Sequence, residues 1–302
     1  MAPGRNRREI GCGPGTGGQA VLLTGKARLA GVLGWPIGHS RSPALHGHWF
    51  RRYGIDGTYV PLPVRPEDLE LAFRALPRLG FKGWNVTVPH KEAACRLVDE
   101  LDPSARRIGA VNTVLVREDG RTQGLNSDGL GFLANLRQQA PGWRPEQGKA
   151  LLLGAGGSAR AVAVALLGAG VPALRLVNRT TARAEALAEE LAPLGPAAAL
   201  SWEQAADALG DAALLVNCTS LGMTGQPPMD LPLDALPRSA VVADLVYAPL
   251  ETVLLAAARA RGNVAVEGLG MLLHQAVPGF AHWGGVTPEV DDDLRRSVLA
   301  AG

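Results

Sequence analysis

Apolar residues along this chain fall into short runs separated by amphipathic stretches of helical length. Leu29-Ala30-Gly31-Val32-Leu33-Gly34 predicts a first strand, Tyr59 to Val64 a second, and Gly83 to Val88 a third that stops at Pro89. Between them the pattern predicts helices from Pro43 to about Tyr53 and from Pro66 to about Leu79. Gly109 to Val114 reads as a further short strand, and Gly124 to Gly129 as a glycine-flanked turn into another helix. The second half repeats the alternation: strand Ala150–Leu153, an Ala/Val/Leu-rich helix, strand Leu174–Val177, helix Ala182–Leu191, then strands Ala213–Asn217 and Val241–Leu245 and a terminal helix opened by Gly268. Strands that alternate with helices predict an α/β protein, with a second parallel layer formed by the N-terminal part.

Length sharpens that picture, because a 302-residue chain exceeds what one core usually fills and so points to two domains. Hydrophobic residues make up 47% and charged residues 19%, which suits a globular enzyme. A formal net charge of only +2, with the basic residues scattered, gives no support to nucleic-acid binding. The longest uncharged apolar run, Ala161 to Leu174, is too short and too rich in Gly and Pro to span a bilayer, so no membrane partner is expected. Cys12, Cys95 and Cys218 are far apart and lack metal-ligand spacing, so neither a disulfide framework nor a metal site is expected, and a reducing cytoplasm fits best. Residues 1–26, rich in Gly, Pro and Arg without a signal-like apolar core, are expected to be a disordered leader or a start-site artefact.

The most specific chemistry lies between the fifth and sixth of these apolar runs. Gly154-Ala155-Gly156-Gly157-Ser158-Ala159 follows a strand and opens a helix, which is the context a dinucleotide fingerprint needs. Gly154 serves the tight turn, Gly156 the close approach of a pyrophosphate, and Ala159 the helix–sheet contact, while the N–H groups of the new helix face the phosphates. An NAD site usually ends the next strand in Asp or Glu, to hold the ribose 2′-hydroxyl. Here Asn178-Arg179-Thr180 and Arg183 stand instead, so no carboxylate repels a 2′-phosphate and two guanidiniums can grip it; NADP is the expected cofactor. The alternative is that Arg179 and Arg183 merely solvate a helix start.

Other candidates are individually ambiguous. Ser42 before Pro43 reads as a helix N-cap, and with Ser40 it places two hydroxyls at a positive helix end, suited either to capping or to a carboxylate or phosphate. Lys91 sits in the first turn after a strand, where a cation is poorly placed for stability, and it is read either as a ligand group or as a solvated lysine. Asp128 is either a helix cap or a group in the cleft before the cofactor half, and Gln275 either an inward ligand or a satisfied core amide.

Taken together, Gly34-Trp-Pro-Ile-Gly-His-Ser-Arg-Ser-Pro43, Asn85-Val-Thr-Val-Pro-His-Lys91, Gly109-Ala-Val-Asn-Thr113, Asn126-Ser-Asp128, the glycine loop, Asn178-Arg-Thr180 and Gly268-Leu-Gly-Met271 with Gln275 resemble the shikimate dehydrogenase family over nearly the whole chain after the leader. Ser127, where the family usually has Thr, and Gly47, where an amide is usual, are small departures. The resemblance implies a substrate domain over 27–128 completed by helices in 268–302, and a Rossmann-type NADP-binding domain over 129–267. It implies Lys91 and Asp128 as the catalytic pair. Ser40 and Ser42, assisted by Tyr247, would hold the substrate carboxylate, and Thr87, Asn112, Asp128 and Gln275 would hold its ring hydroxyls. Gly154, Ala155, Gly156, Gly157, Ser158, Asn178, Arg179, Thr180, Arg183, Met223 and Gly268 would bind NADP. The implied reaction reduces 3-dehydroshikimate to shikimate in aromatic amino-acid biosynthesis. Hydride delivery to a ring ketone creates an alkoxide that needs a proton and positive charge close by, and Lys91 can supply both. A quinate/shikimate or aminoshikimate dehydrogenase would share these residues, whereas a non-catalytic shikimate sensor would lack the Lys/Asp pair. The expected partner is a small-molecule substrate, and a homodimer is compatible with the reading.

Overall fold

The structure, a computed structural model, describes residues 23–301. Residues 1–22 of the expected leader lie outside the described residues. Its last part is a turn tied to the body: Thr24 donates from Oγ1 to Asp56 Oδ2 at 2.5 Å, and Ala27 N–H reaches Thr24 O at 3.1 Å.

The N-terminal strands are β1 (Arg28–Gly34), β2 (Gly57–Pro63), β3 (Phe81–Val86), β4 (Glu100–Leu101), β5 (Thr113–Val116) and β6 (Thr122–Leu125), with helices α1 (Ser42–Arg52), α2 (Leu69–Arg78), α3 (Lys91–Ala94) and α4 (Pro103–Ile108) between them. They form one sheet in the order β2-β1-β3-β5-β6-β4. β1 runs parallel to β2 and β3, but β3–β5 and β5–β6 are antiparallel, so the expected wholly parallel layer is corrected to a mixed sheet. For β5–β6 the reason is local: residues 117–121 between them form a turn closed by Arg117 N–H to Arg121 O at 2.9 Å, and a parallel crossover needs a dozen or more residues. Two strand boundaries also move, since β3 ends at Val86 and the segment from Gly109 becomes strand only at Thr113.

Then follow α5 (Asp128–Gln139), β7 (Lys149–Leu153), α6 (Gly157–Ala169), β8 (Leu174–Val177), α7 (Thr181–Leu191), β9 (Ala197–Leu200), β10 (Ala212–Asn217), β11 (Val241–Asp244), α8 (Val253–Ala260) and β12 (Val264–Val266). The second sheet, β12-β11-β10-β7-β8-β9, is parallel throughout. Counted from β7 this is the doubly wound order 3-2-1-4-5-6, whose direction reverses between β7 and β10, the place where such sheets bind ligands. Alternation puts Leu152 and Leu176 on one face, against Val162 and Leu166 of α6, and Leu151 and Leu153 on the other, against Leu254 and Leu255 of α8. β9 and β12 were not predicted, because Ala-rich and three-residue edge segments carry little periodic signal.

The chain ends in α9 (Leu269–Gln275), α10 (Val277–Gly284) and α11 (Asp292–Ala300). Phe280, Trp283, Leu294 and Val298 from the last two pack with Ala30, Val32, Leu45 and Trp49 beside the first sheet. α9 serves both halves: Leu269 and Leu273 enter that same core, while Met271 joins Phe132 and Leu136 of α5 in the core of the second sheet. Because α9 enters both cores and α5 packs along it, the carboxyl ends of β3 and β11 come around one cavity.

Candidate active site

That cavity has a volume of about 180 Å³, below the roughly 300–1,000 Å³ of drug-sized sites and suited to one small ring. Ser40, Ser42, Thr87, Lys91, Asn112, Asp128, Ser158, Tyr247, Gly268 and Gln275 all line it, although they come from segments spread over most of the sequence. Thr87 stands in the turn just past β3, held by its N–H to Leu33 O at 2.9 Å.

At the floor, Lys91 Nζ donates to Asp128 Oδ2 at 2.5 Å, with the two side chains only 14% and 6% exposed. Neither bland alternative survives. Lys91 is no solvated lysine, and Asp128 is the first residue of α5 rather than its cap, with its N–H held by Asn126 Oδ1 at 3.0 Å. Its carboxylate is therefore left free for Lys91 and for Asn112 Nδ2, which donates to Oδ1 at 2.7 Å. Asn112 Nδ2 also reaches Gln275 Oε1 at 3.2 Å, and Gln275 Nε2 donates to Leu272 O at 3.0 Å. Gln275 is thus both backbone-satisfied and part of the cavity wall. Ser127 locks the group from behind, accepting from Asn112 at 3.1 Å and donating to Gln275 O at 2.7 Å. Buried polar groups satisfied in this way hold one arrangement, because each broken bond would leave an unpaired buried atom.

The serine pair also departs from expectation. α1 starts at Ser42 itself, with Arg41 at the N-cap and no side-chain cap, so Ser42 is corrected from cap to first helical residue. Ser40 Oγ instead accepts from Ser42 N–H at 3.3 Å, which leaves the Ser42 hydroxyl to face the cavity. Tyr247 arrives from the loop after β11, shaped by Asp244 Oδ1 accepting from Val246 N–H at 3.0 Å. Burial pushes the Tyr247 phenol above its usual range, against an opposing pull from Arg41. Burial likewise raises the Asp244 carboxyl, against bonds from Thr252, Val246 and Asn217.

The structure adds lining residues that sequence reasoning missed, among them His39, Asn85 and Met271. Asn85 had a signal, a polar residue inside an apolar strand. It accepts from Tyr59 Oη at 2.6 Å and donates to Thr113 Oγ1 at 2.9 Å.

Beside the cavity, at the carboxyl end of β7, the glycine loop meets the requirements of a dinucleotide. Gly154 has φ +113°, which an L side chain rarely adopts. A Cβ on Gly156 would meet nothing within 4 Å, so the backbone there is open to a ligand, and α6 begins with no side-chain cap on its N–H groups. A Cβ on Gly157 would lie 3.6 Å from Lys91 Cδ, so the loop borders the Lys91 side of the cavity. At the end of β8, Arg179 and Arg183 are exposed and enter no ion pair among the described residues, and Asn178 Nδ2 donates to Thr180 O at 2.9 Å. Two free guanidiniums and no carboxylate form a donor set that fits a 2′-phosphate. Met223 is half-buried in the loop after β10, its N–H bonded to Ser220 O at 3.1 Å, and it does not line the cavity. No cluster of three or more metal-ligating side chains occurs among the described residues, and no helix there is long and apolar enough to cross a membrane.

Comparison with known proteins gives one answer from three directions. A family model described as shikimate dehydrogenase substrate binding domain matches residues 32–114, and one described as shikimate / quinate 5-dehydrogenase matches residues 136–223. The chain is 62% identical over 280 residues to the NADP(+) shikimate dehydrogenase of Rhodospirillum rubrum, covering 92% of this chain and 99% of the relative. Among solved structures, shikimate 5-dehydrogenase of Thermus thermophilus in complex with NADP(H) and shikimate superposes with a TM-score of 0.80 at 40% identity, over 91% of this chain and 100% of that one. Quinate dehydrogenase of Corynebacterium glutamicum in complex with NAD superposes with a TM-score of 0.84 at 33% identity, over 91% and 99%. With these relatives and this cavity, the chain belongs to the shikimate dehydrogenase family.

Proposed function

We propose that the chain catalyses the reversible NADP-linked reduction of 3-dehydroshikimate to shikimate, with Lys91 as proton donor and Asp128 as its partner. The observation that carries this reading is the buried Lys91–Asp128 pair at 2.5 Å, in a cavity of single-ring size that the dinucleotide loop borders. A shikimate sensor would have no use for such a pair. NADPH, when bound, supplies the hydride. Lys91 Nζ then meets the oxygen that becomes anionic, hands it a proton, and stabilises the charge before transfer. Asp128 keeps the ammonium in place and, with Asn112 and Gln275, offers acceptors and donors to ring hydroxyls. Ser40, Ser42 and Tyr247 take the carboxylate, while Thr87, which lines the same cavity, joins Asn112, Asp128 and Gln275 in holding ring hydroxyls.

The working division is a substrate unit of 27–128 with 268–302, and a cofactor unit of 129–267, supported by the separate cores on the two sheets and by the way α10 and α11 pack. For the cofactor, Arg179 and Arg183 would grip the 2′-phosphate, Gly154 to Ser158 would hold the pyrophosphate, and Met223 and Gly268 would complete the binding set. The proposed compartment is the cytoplasm, supported by Cys95 and Cys218 as free thiols. One assay tests the reading: NADP-linked oxidation of shikimate, with quinate and NAD as controls. A quinate dehydrogenase is the second reading, favoured by the Corynebacterium neighbour, and a clear preference for quinate over shikimate would establish it instead.

A further inference from the structure

The cavity wall contains one ammonium and one carboxylate, Lys91 and Asp128, and they neutralise each other at 2.5 Å. Apart from the imidazole of His39, the remaining lining groups are hydroxyls, amides, backbone and apolar side chains. An anionic ligand entering this space would exchange water for neutral hydroxyls and the partial positive end of α1, and a carboxylate taken from water without a full countercharge is costly. Just outside the wall stands a cation without an assigned task. Arg41 lies between Ser40 and Ser42 at the N-cap of α1, its Cζ is 5.9 Å from the centroid of the Tyr247 ring, and it enters no ion pair among the described residues. Its Nη1 is buried and has no hydrogen-bond partner. A buried guanidinium nitrogen left unpaired costs stability, so its placement calls for a use when ligand is present.

We propose that Arg41 is a positioning residue for the acid end of the substrate: it holds Tyr247 through its ring face, and its unpaired charge offsets the carboxylate bound at Ser40, Ser42 and Tyr247. This rests on the functional reading above and adds to it a full positive charge beyond the partial charge of the α1 end. The geometry supports both parts. A guanidinium within about 6 Å of a ring centroid is in cation–π range, and Arg41 and Tyr247 come from opposite halves of the molecule, so their contact sets the distance between the serine pair and the phenol. The Arg41 charge also pulls on the Tyr247 phenol, in the direction opposite to burial.

The test uses shikimate and its uncharged methyl ester as paired substrates for the full chain, with NADP+ saturating. Arg41→Gln is expected to raise the KM for shikimate about tenfold to a hundredfold, as for loss of a contact to a charged group, with kcat changed much less. The ester, which has no charge to offset, should lose far less, so the acid-to-ester ratio of kcat/KM should fall about tenfold or more. Arg41→Lys keeps the charge and should retain most of that ratio, a rescue that a purely structural role would not produce. An active wild-type enzyme whose acid-to-ester ratio is the same in Arg41→Gln overturns the proposal while leaving the function intact. A wild-type enzyme that oxidises neither acid nor ester overturns the function on which the proposal rests.

Discussion

His46 makes the stability of the substrate half depend on pH. Its ring is fully buried, stacked on Tyr59 at 4.0 Å with 14° between planes and flanked by Trp49, Phe280 and Trp283, and neither ring nitrogen has a hydrogen-bond partner. Burial lowers its pKa from 6.5 to about 3, against a smaller opposing pull from the Asn85 side chain. The unfolded chain therefore takes up a proton near pH 6.5 that the folded chain refuses until about pH 3. Between those values the unfolded state binds more protons, so stability must fall as pH falls, and the contribution is complete only above the unfolded pKa. From about pH 7 to about pH 5 the loss is roughly 1.5 pKa units at 1.36 kcal/mol each, or about 2 kcal/mol, a sizeable part of the 5–15 kcal/mol typical of a native protein. His46→Phe keeps the ring and removes the titration, at a packing cost of about 1.5 kcal/mol or less. Urea unfolding followed by tryptophan fluorescence, at both pH values, measures the difference. Wild type should lose about 2 kcal/mol more than the variant on acidification. Equal losses would refute the reasoning and mean that the ring is charged or hydrated in the folded state. The effect reaches the active site, because Tyr59, stacked on this ring, donates to Asn85 in the cavity wall.

Three further outcomes test the site. Lys91→Ala should lower kcat by about two to four powers of ten while shikimate affinity, measured by calorimetry, changes by a modest factor, since a proton donor acts mainly in the transition state. A large loss of binding with unchanged turnover would remove it from that role. Ser42→Ala should raise the shikimate KM by about tenfold with a smaller fall in kcat, because a carboxylate contact is made equally in ground and transition states; steady-state kinetics distinguish this from a kcat effect. Arg179→Asp removes a charge-assisted contact and adds repulsion, so the preference for NADP over NAD should fall by about one to two powers of ten or more. If kinetics with both cofactors show an unchanged ratio, the phosphate grip lies elsewhere.

The cofactor half was legible locally, because its chemistry is carried by contiguous backbone. A glycine loop between a strand and a helix needs only φ/ψ freedom and a helix start, and residues 149–177 contain both. The parallel order of the second sheet follows from the same alternation, since a helix between two strands returns the chain in the same direction. The substrate half was less so. Its sheet carries one reversed strand, β5, which a five-residue turn joins to its antiparallel neighbour β6, a local event that coarse alternation passes over. The roles of individual polar residues were decided by tertiary structure alone. Asp128 could cap a helix or face a lysine, and it faces one because Asn126 satisfies its N–H while Lys91, 37 positions earlier in the chain, is brought within 2.5 Å. Ser42 could cap α1, but Ser40 accepts its N–H and leaves its hydroxyl to the cavity. His46 reads in sequence as one histidine among six and becomes an uncharged buried ring because Tyr59 and Trp49, together with Phe280 and Trp283 of α10, enclose it. Local backbone preferences act between near neighbours and can be read along the chain, whereas the state of a polar side chain depends on which distant groups share its space.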